Sequence, residues 1–297
     1  MESSTIGVAL AVVSAFMFGA NKLAVRKSLF NMDESFASFI AILLAIPMFG
    51  MPILFFGWGS QPLTWQVVVI FALAGVLNYS VGRYFVWKSI ALIGANRANV
   101  VASTQVIYAV AIAILALGQT VDLAEGVGIS LVVLGIIFIS FGDFESSSVN
   151  PSDRRKGIVW GVLGAFLWGI SQVLMQVGIS WYSNANTATF LVFAASFFGI
   201  LPVMLMAGKY QKSSTFRMDR KSLLMIVIAG LLGNFGLYFR FAALQNTTLT
   251  IVATVNATNP LITLVFSYLL MRELEFINGR MVLAILVSVA GVFLMSI

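Results

Sequence analysis

The stretch GVALAVVSAFMFGANK, residues 7–22, returns as GIVWGVLGAFLWGISQ at residues 157–172. The two copies match at small and aromatic positions, so that Gly19 of the first falls on Gly169 of the second. Further landmarks recur at an offset of about half the chain length: Pro47 near Pro202, Gly75 near Gly230, and Leu134-Gly135 near Ala290-Gly291. One hydrophobic unit has therefore been used twice, and the chain consists of two similar halves.

Composition places both halves in a membrane. Of the 297 residues, 60% are hydrophobic and only 9% are charged, and the mean hydropathy is +1.00. Such a chain cannot cover a water-facing surface with polar side chains, so we interpret it as an integral membrane protein in contact with a lipid bilayer. The first apolar run lacks a basic leader and a small-residue cleavage site, and we expect no cleaved signal peptide.

Charge and missing residue types exclude several functions. The net charge of +6 fits basic loops beside a cytoplasmic leaflet, and we expect no nucleic-acid partner. Cysteine and histidine are absent. Their absence removes disulfides, thiol nucleophiles, imidazole bases and the commonest zinc ligands. We therefore predict that the chain is not an enzyme and that it has no catalytic residue, no metal site and no cofactor.

Ten apolar stretches approach the length of about 20 residues that a membrane-spanning helix needs. They fit at residues 5–25, 35–57, 65–87, 97–118, 124–142, 157–179, 186–207, 222–243, 249–271 and 277–297. The sequence thus predicts an all-α membrane protein with five transmembrane helices in each half. The first repeat covers residues 1–145, a linker covers 146–156, and the second repeat covers 157–297.

Basic residues predict the orientation of these spans. Of the 17 basic residues, 14 lie in or beside odd-numbered connections: Arg26, Lys27, Lys88, Arg97, Arg154, Arg155, Lys156, Lys209, Lys212, Arg217, Arg220, Lys221, Arg272 and Arg280. The positive-inside rule then places both termini outside. Because each half has an odd number of spans, the two repeats are predicted to be inverted about an axis in the membrane plane. Such repeats are typical of carriers with a site between the halves.

The three remaining basic residues, Lys22, Arg83 and Arg240, lie inside predicted spans. A cation at that depth is costly unless it snorkels, pairs or lines water. For Lys22 and Arg83, snorkelling to the nearby basic end is the alternative to a cavity position. Arg240 stands alone toward the outer end and shares a helical face with glycines, so we expect it to face a polar cavity.

Acidic residues show the opposite pattern. All 11 lie at the ends of spans or in connections, and none lies in the middle of a span. A buried carboxylate is the usual device for proton coupling and for holding a cationic drug in a membrane. Basic residues without acidic partners instead favour an anionic group on the substrate, such as a carboxylate or a phosphate.

The ninth span carries a polar stripe of one helix face, with Asn256, Asn259, Thr263 and Ser267 spaced by three to four residues. Pro260 lies within this stripe and cannot donate to the carbonyl of Asn256, which predicts a kink that acts as a hinge. Hydrogen bonding between helices is the alternative role of the stripe. The fourth span has the polar residues Asn99 and Ser103 but no proline, so we expect the two halves to move differently.

Other polar and aromatic residues lie in the first, third, sixth and eighth spans. Trp168 lies one turn before Gln172, which suits a stacking or cation–π role, whereas Gly19 and Gly169 are expected to allow close helix packing. The full set of predicted substrate-binding residues is Lys22, Asn78, Arg83, Tyr84, Ser103, Trp168, Gln172, Tyr238, Arg240, Asn256 and Asn259, with Pro260 as the hinge.

Several short motifs recur in a fixed order along the chain. They are A-F-x-x-G at Ala15–Gly19 and Ala165–Gly169, Ala91-Leu92 and Ala243-Leu244, Asn259-Pro260, R-E-x-E at Arg272–Glu275, and Ala290-Gly291-Val292. In this order the chain resembles the EamA-like drug/metabolite transporter superfamily. The resemblance implies ten helices around a central cavity, alternating access, and export of small metabolites, often amino acids.

The function that follows is secondary transport of a small anionic or zwitterionic metabolite, such as an amino acid. No G-x-x-x-x-G-K-[ST] motif for ATP is present. A multidrug exporter is the alternative within transport, and an intramembrane enzyme or a sensor is the alternative from another class. We expect a monomer, with a homodimer as the alternative, in the cell (inner) membrane of a prokaryote.

Overall fold

The computed structural model describes most of both halves. The described residues are 2–105, 107–109, 111–112, 123, 126–128, 130–131, 134–135, 150–210, 219–247, 252, 255–256, 258–270 and 279–294. Most of the fifth predicted span, the linker positions 146–149 and the R-E-x-E motif at 272–275 lie outside the described residues.

Helices make up the described chain. Their bounds are α1 Glu2–Ser28, α2 Glu34–Phe56, α3 Trp65–Gly75, a π-helical segment Val76–Gly82, α4 Arg83–Ile93, α5 Ala95–Ala102, α6 Pro151–Trp181, α7 Ala185–Tyr210, α8 Arg220–Asn246, α9 Asn259–Leu270 and α10 Gly279–Leu294. Six described helices, with Trp65–Ile93 taken as one, are long and apolar enough to cross a membrane. The all-helical membrane class is therefore supported, while the count of ten includes stretches outside the described residues.

Side chains at the helix starts set several of these bounds. The Asp33 carboxylate accepts from the backbone N–H of Ser35 (2.8 Å) and so caps α2. The Asn150 side chain accepts from the Ser152 N–H (3.1 Å) and caps α6, whose first residue is proline. As a result α6 begins before the predicted span, and residues 151–156, which were predicted to belong to a linker, form its first turns.

The first helix of the first half packs antiparallel against the third span of the second half. Ser14 Oγ on α1 donates to the carbonyl of Gly236 on α8 (2.8 Å). About two turns further along α1, Asn21 Nδ2 donates to the carbonyl of Ala229 (2.6 Å). The partner number falls as the α1 number rises, so the two helices run in opposite directions.

The reciprocal pair repeats this arrangement. Ser171 Oγ on α6 donates to the carbonyl of Ala74 on α3 (2.9 Å). A Cβ at Gly164 would lie 3.0 Å from the carbonyl oxygen of Gly82. Residues 164 and 171 are the counterparts of 14 and 21 in the repeated stretch, so matched positions of the two halves contact matched backbone sites.

Counterpart helices also pack antiparallel against each other. Between α2 and α7, Asn186 Nδ2 donates to the Phe49 carbonyl (3.1 Å), and the Phe39 and Phe197 rings lie 5.7 Å apart. Between α5 and α9, Asn99 Nδ2 donates to Thr263 Oγ1 (3.0 Å) and Asn96 Nδ2 donates to Ser267 Oγ (2.8 Å). These contacts again pair rising numbers in one half with falling numbers in the other.

The glycines of the repeated stretch allow this close approach, as expected. A Cβ at Gly19 would lie 2.5 Å from Cγ2 of Ile262 on α9. A Cβ at Gly169 would lie 2.7 Å from Cβ of Tyr108 and 2.8 Å from the carbonyl oxygen of Gln105. Any larger residue would therefore push apart the first and fourth spans of opposite halves.

Both halves interrupt the fourth span of their repeat, which was expected only where proline is present. In the first half α5 ends at Ala102, residues 103–104 form a turn, and Thr104 Oγ1 donates to the Val101 carbonyl (2.8 Å). In the second half Thr258 Oγ1 donates to the Val255 carbonyl (2.7 Å) just before α9. A threonine that bonds back to the chain competes with the helix ladder and can interrupt it without proline. Pro260 lies in the first turn of α9, where its missing N–H costs little.

Candidate functional site

A cavity of about 140 Å³ lies where α1, α4, α6, α8 and the interrupted fourth spans meet. Residues from both halves line it. The lining consists of Phe18, Asn21, Lys22, Ala41, Asn78, Tyr79, Arg83, Trp87, Asn99, Ala102, Ser103, Gln105, Trp168, Gln172, Met175, Ala229, Gly230, Gly233, Asn234, Leu237, Arg240, Asn256, Asn259 and Pro260. Three of these side chains are cationic, and the described lining includes no acidic residue.

The cavity brings together almost all residues predicted to bind substrate. Those in the lining are Lys22, Asn78, Arg83, Ser103, Trp168, Gln172, Arg240, Asn256 and Asn259, together with the predicted hinge Pro260. They come from spans far apart in sequence, so the polar positions of several helices converge on one volume. Whether they bind a substrate stays a prediction.

Two predicted residues, Tyr84 and Tyr238, do not line the cavity. The Tyr84 hydroxyl accepts from Lys88 Nζ (3.2 Å), and Lys88 lies one turn further along α4. The Tyr238 ring stacks on Phe49 at a centroid distance of 5.9 Å. Each tyrosine follows or precedes a lining cation by one or two residues, and that small offset turns it to a different face of its helix.

The prediction missed Trp87 and Met175, which both line the cavity. A helical signal could have found them. Trp87 lies four residues after Arg83 and Met175 lies three residues after Gln172, spacings that place each pair on one helix face. Both side chains are largely apolar, and the prediction rested mainly on charged and polar residues inside the spans.

Arg83 is held by aromatic rings. Its guanidinium carbon lies 4.3 Å from the ring centroid of Tyr79, 5.4 Å from Trp87 and 5.7 Å from Phe193. Only 5% of the residue is exposed, so it does not snorkel. Its Nη1 is buried and has no hydrogen-bond partner within the described residues. The rings stabilise the cation by their π faces and leave a donor unused.

Lys22 of the first half lies against the ring of Trp168 in the second half. Its Nζ is 4.5 Å from the ring centroid of Trp168, and only 7% of the residue is exposed. Trp168 is itself fixed, because its Nε1 donates to the Asn78 carbonyl (3.0 Å). The predicted cation–π role of Trp168 thus has a partner within the protein, and the cavity position of Lys22 replaces the snorkelling alternative.

Arg240 is held by an amide. One of its guanidinium nitrogens, Nη2, donates to Oε1 of Gln172 on α6. Gln172 is the counterpart of Lys22 in the repeated stretch. The same position therefore supplies a cation in the first half and an acceptor for a cation in the second half.

The cavity also contains hydrogen-bond acceptors without described partners. The Oδ1 atoms of Asn234, Asn256 and Asn259 are buried and have no hydrogen-bond partner within the described residues. All three residues line the cavity. Buried polar atoms without partners are costly, and they are retained where a ligand or water completes them.

The part of the chain that the structure describes has no group of three or more His, Cys, Asp or Glu residues that could hold a metal ion. The cavity offers fixed cations, amides and aromatic faces, which bind and orient small polar molecules.

Comparison with solved structures supports the fold. A structure described as "Crystal structure of protein" matches with a TM-score of 0.64 over 99% of this chain and 96% of its own, at 14% sequence identity. At that identity the likeness concerns the fold alone. No curated protein matches the chain.

The sequence also matches a family model twice. The model of the EamA-like transporter family matches residues 5–141 and again residues 155–297, which together cover almost the whole chain. The family model therefore matches the chain as two consecutive repeats. The chain therefore belongs to the EamA-like transporter family, whose members are membrane transporters of the drug/metabolite type.

Proposed function

We propose that this protein is a secondary, ATP-independent carrier of a small metabolite with an anionic group, either an anion or a zwitterion such as an amino acid. One observation carries the proposal. Lys22, Arg83 and Arg240 converge on a single cavity whose described lining lacks an acid. Buried cations without acidic partners have a favourable role when a negatively charged ligand visits them.

Alternating access is the proposed mechanism, with the two halves as inverted repeats. Support comes from the antiparallel packing of α2 on α7, since these helices are counterparts in the two halves. The interrupted fourth spans lie beside the cavity in both halves, which suits them to act as the flexible points of a rocking motion.

A multidrug exporter is the second candidate, because the aromatic residues Phe18, Trp87 and Trp168 line the cavity. Two of these rings, however, already face the protein's own cations. Lys22 lies over Trp168, and Arg83 lies beside Trp87. A lipophilic cation would meet like charge at the same faces, so we favour the anion.

Transport into proteoliposomes tests the proposal. We expect Arg240→Gln to weaken uptake of an anionic or zwitterionic substrate by about tenfold or more, the scale of one charge-assisted hydrogen bond. Arg240→Lys should give an intermediate effect because it keeps the charge but loses the planar fork. Arg155→Gln removes an exposed charge outside the cavity and is the matched control. Normal anion transport by Arg240→Gln, or preference of the wild type for lipophilic cations, would contradict the proposal.

Orientation in the membrane is a separate part of the proposal. We propose that the basic end faces the cytoplasm and both termini lie outside. Asn31 Nδ2 donates to Asp219 (3.4 Å) at the basic end, and the Ser183 N–H donates to Gln61 Oε1 (2.9 Å) between two even-numbered connections. In the cysteine-free chain, Ser183→Cys should react with an impermeant thiol reagent in intact cells, whereas Ser152→Cys should not. The reverse labelling would overturn the orientation.

A further inference from the structure

We propose that the cavity selects a small hydroxylated dianion, such as a hydroxy-dicarboxylate or a phosphate ester, over a zwitterion of the same size. This inference rests on the proposed function and narrows its substrate class. It follows from the number of cations in the cavity, the donor that Arg83 leaves unused, and the neutral acceptors beside them.

Charge balance favours two negative charges over none. The lining contains three cations and, among the described residues, no acid. A zwitterion has no net charge and leaves this imbalance as it was, whereas a dianion neutralises most of it. In a region shielded from water, charge interactions are stronger than in solvent, so the difference between the two ligands is amplified.

The cavity cations come from both halves of the protein. Arg83 Nη1 has no hydrogen-bond partner within the described residues, and Lys22 has a described contact with a ring face but no described hydrogen bond. Arg240, from the other half, is oriented by Gln172. A ligand between these helices can therefore meet cations on more than one side, which suits a molecule with two anionic charges.

Acceptors in the same cavity are neutral. The unpaired Oδ1 atoms of Asn234, Asn256 and Asn259 belong to amides. An amide oxygen accepts readily from a hydroxyl, but its hydrogen bond to an ammonium group is weaker than that of a carboxylate. In addition, the three nearby cations repel an ammonium group. Hydroxyl groups on an anionic ligand complete these oxygens without adding positive charge.

Four ligands that share one carbon skeleton separate these features. Asparagine has one carboxylate and an ammonium group and no net charge, and aspartate has two carboxylates and an ammonium group and a net charge of −1. Succinate has two carboxylates, and malate has two carboxylates and a hydroxyl. Isothermal titration of the purified full chain should give the tightest binding for malate. We expect aspartate to bind about tenfold more weakly than malate, because an ammonium that the cavity cations repel replaces the hydroxyl. Asparagine should bind more weakly again, because it also lacks one carboxylate.

Glycerol 3-phosphate is the second probe of the same chemistry. Tighter binding than malate would assign the dianion to a phosphate ester, and weaker binding would assign it to a dicarboxylate. Arg83→Gln and Arg240→Gln should each bring the affinity for the preferred dianion down toward that for aspartate. Arg155→Gln should leave the whole ranking unchanged.

Aspartate or asparagine binding as tightly as malate would overturn the dianion inference while the proposed carrier function stands. Succinate binding as tightly as malate would overturn the role of the hydroxyl. A chain that ignores all five ligands and binds lipophilic cations instead would overturn the proposed function itself. The ligand ranking is measured on the wild-type protein, so it does not depend on whether the arginine variants fold.

Discussion

The third span of the first half and α8 of the second half each pack against the first helix of the opposite half, but their backbone conformations differ. In the first half, eight positions separate the two matched contact sites, Ala74 and Gly82. In the second half, seven positions separate Ala229 and Gly236. The additional residue falls within the π-helical segment Val76–Gly82, whereas α8 is continuous. A π-helical segment absorbs one inserted residue without changing the phase of the helix on either side.

This difference shows how a symmetric scaffold supports an asymmetric site. Asn78 and Tyr79 of the π-helical segment line the cavity, and Arg83 follows directly after it. On α8 the matched region supplies Gly233 and Asn234, and its cation comes later, at Arg240. Packing contacts are thus shared by the halves, while the charges that define the cavity are not.

The largest effect is expected from a pair of single-residue deletions. Deleting Val81 should convert the π-helical segment to a regular helix and leave the chain folded, because the flanking contacts stay in phase. Deleting Phe235, a 40% exposed residue of the continuous α8, should rotate all later residues by about 100° and prevent folding. Monodisperse elution in detergent measures the outcome. Equal tolerance of both deletions would show that the additional residue is not absorbed by the π-helical segment.

A second prediction sharpens the chemical difference between the halves at the counterpart positions 22 and 172. Gln172→Glu keeps the size of the side chain but places a carboxylate against Arg240. The new ion pair should neutralise one cavity cation and weaken anion binding by about tenfold or more. Titration of the purified variant with the preferred anion measures the loss. Unchanged affinity would mean that Arg240 does not contribute its charge to the ligand.

The third prediction concerns the contacts that the halves share. Asn21→Ala and Ser171→Ala each remove a hydrogen bond from a counterpart position to a helix carbonyl of the other half. Loss of this bond should lower the free energy of unfolding by about 0.6–1 kcal/mol, the usual range for such bonds between membrane helices. Ser171→Ala also removes the acceptor of a bond from Asn78 Nδ2 (3.1 Å), which should add a loss of similar size. Unfolding in mixed detergent measures both. A loss several times larger in one variant would contradict the reciprocity of the packing.

The smallest effect is expected at the predicted hinge. Pro260→Ala should change transport by no more than about twofold, because the first half interrupts its fourth span without proline. Combining it with Thr258→Val also removes the hydroxyl that bonds to the Val255 carbonyl. Only the double variant should restore a continuous helix and slow transport. A strong loss of transport from Pro260→Ala alone would show that the proline itself acts as the hinge.

The sequence was enough to predict most of the helices and 10 of the 24 residues that line the cavity. Charged residues inside apolar spans gave the clearest signal, since burial of Lys22, Arg83 and Arg240 requires a polar environment. The π-helical segment could not be predicted, because it depends on contacts with α6 that fix the two ends of the segment. Trp87 was missed for a related reason: a large apolar residue fits lipid, core and cavity equally well until its neighbours are known.

The break in the fourth span illustrates a second limit of the sequence. Thr104 and Thr258 occupy matched places, but a threonine inside a helix is compatible with an intact ladder. Proline is a stronger signal of a helix break, and for that reason the break was predicted only at Pro260. Tertiary packing around the cavity decides which of these weak signals becomes an interruption.

The positions of two tryptophans should allow ligand binding in the cavity to be followed by intrinsic fluorescence. Of the six tryptophans in the chain, Trp87 and Trp168 line the cavity, and each lies beside a cation, Arg83 or Lys22. Indole emission responds to nearby charge and to water. An anion that draws Lys22 away from the Trp168 ring should therefore shift the intrinsic fluorescence of the unlabelled protein, while Trp65 at 72% exposure provides a constant background.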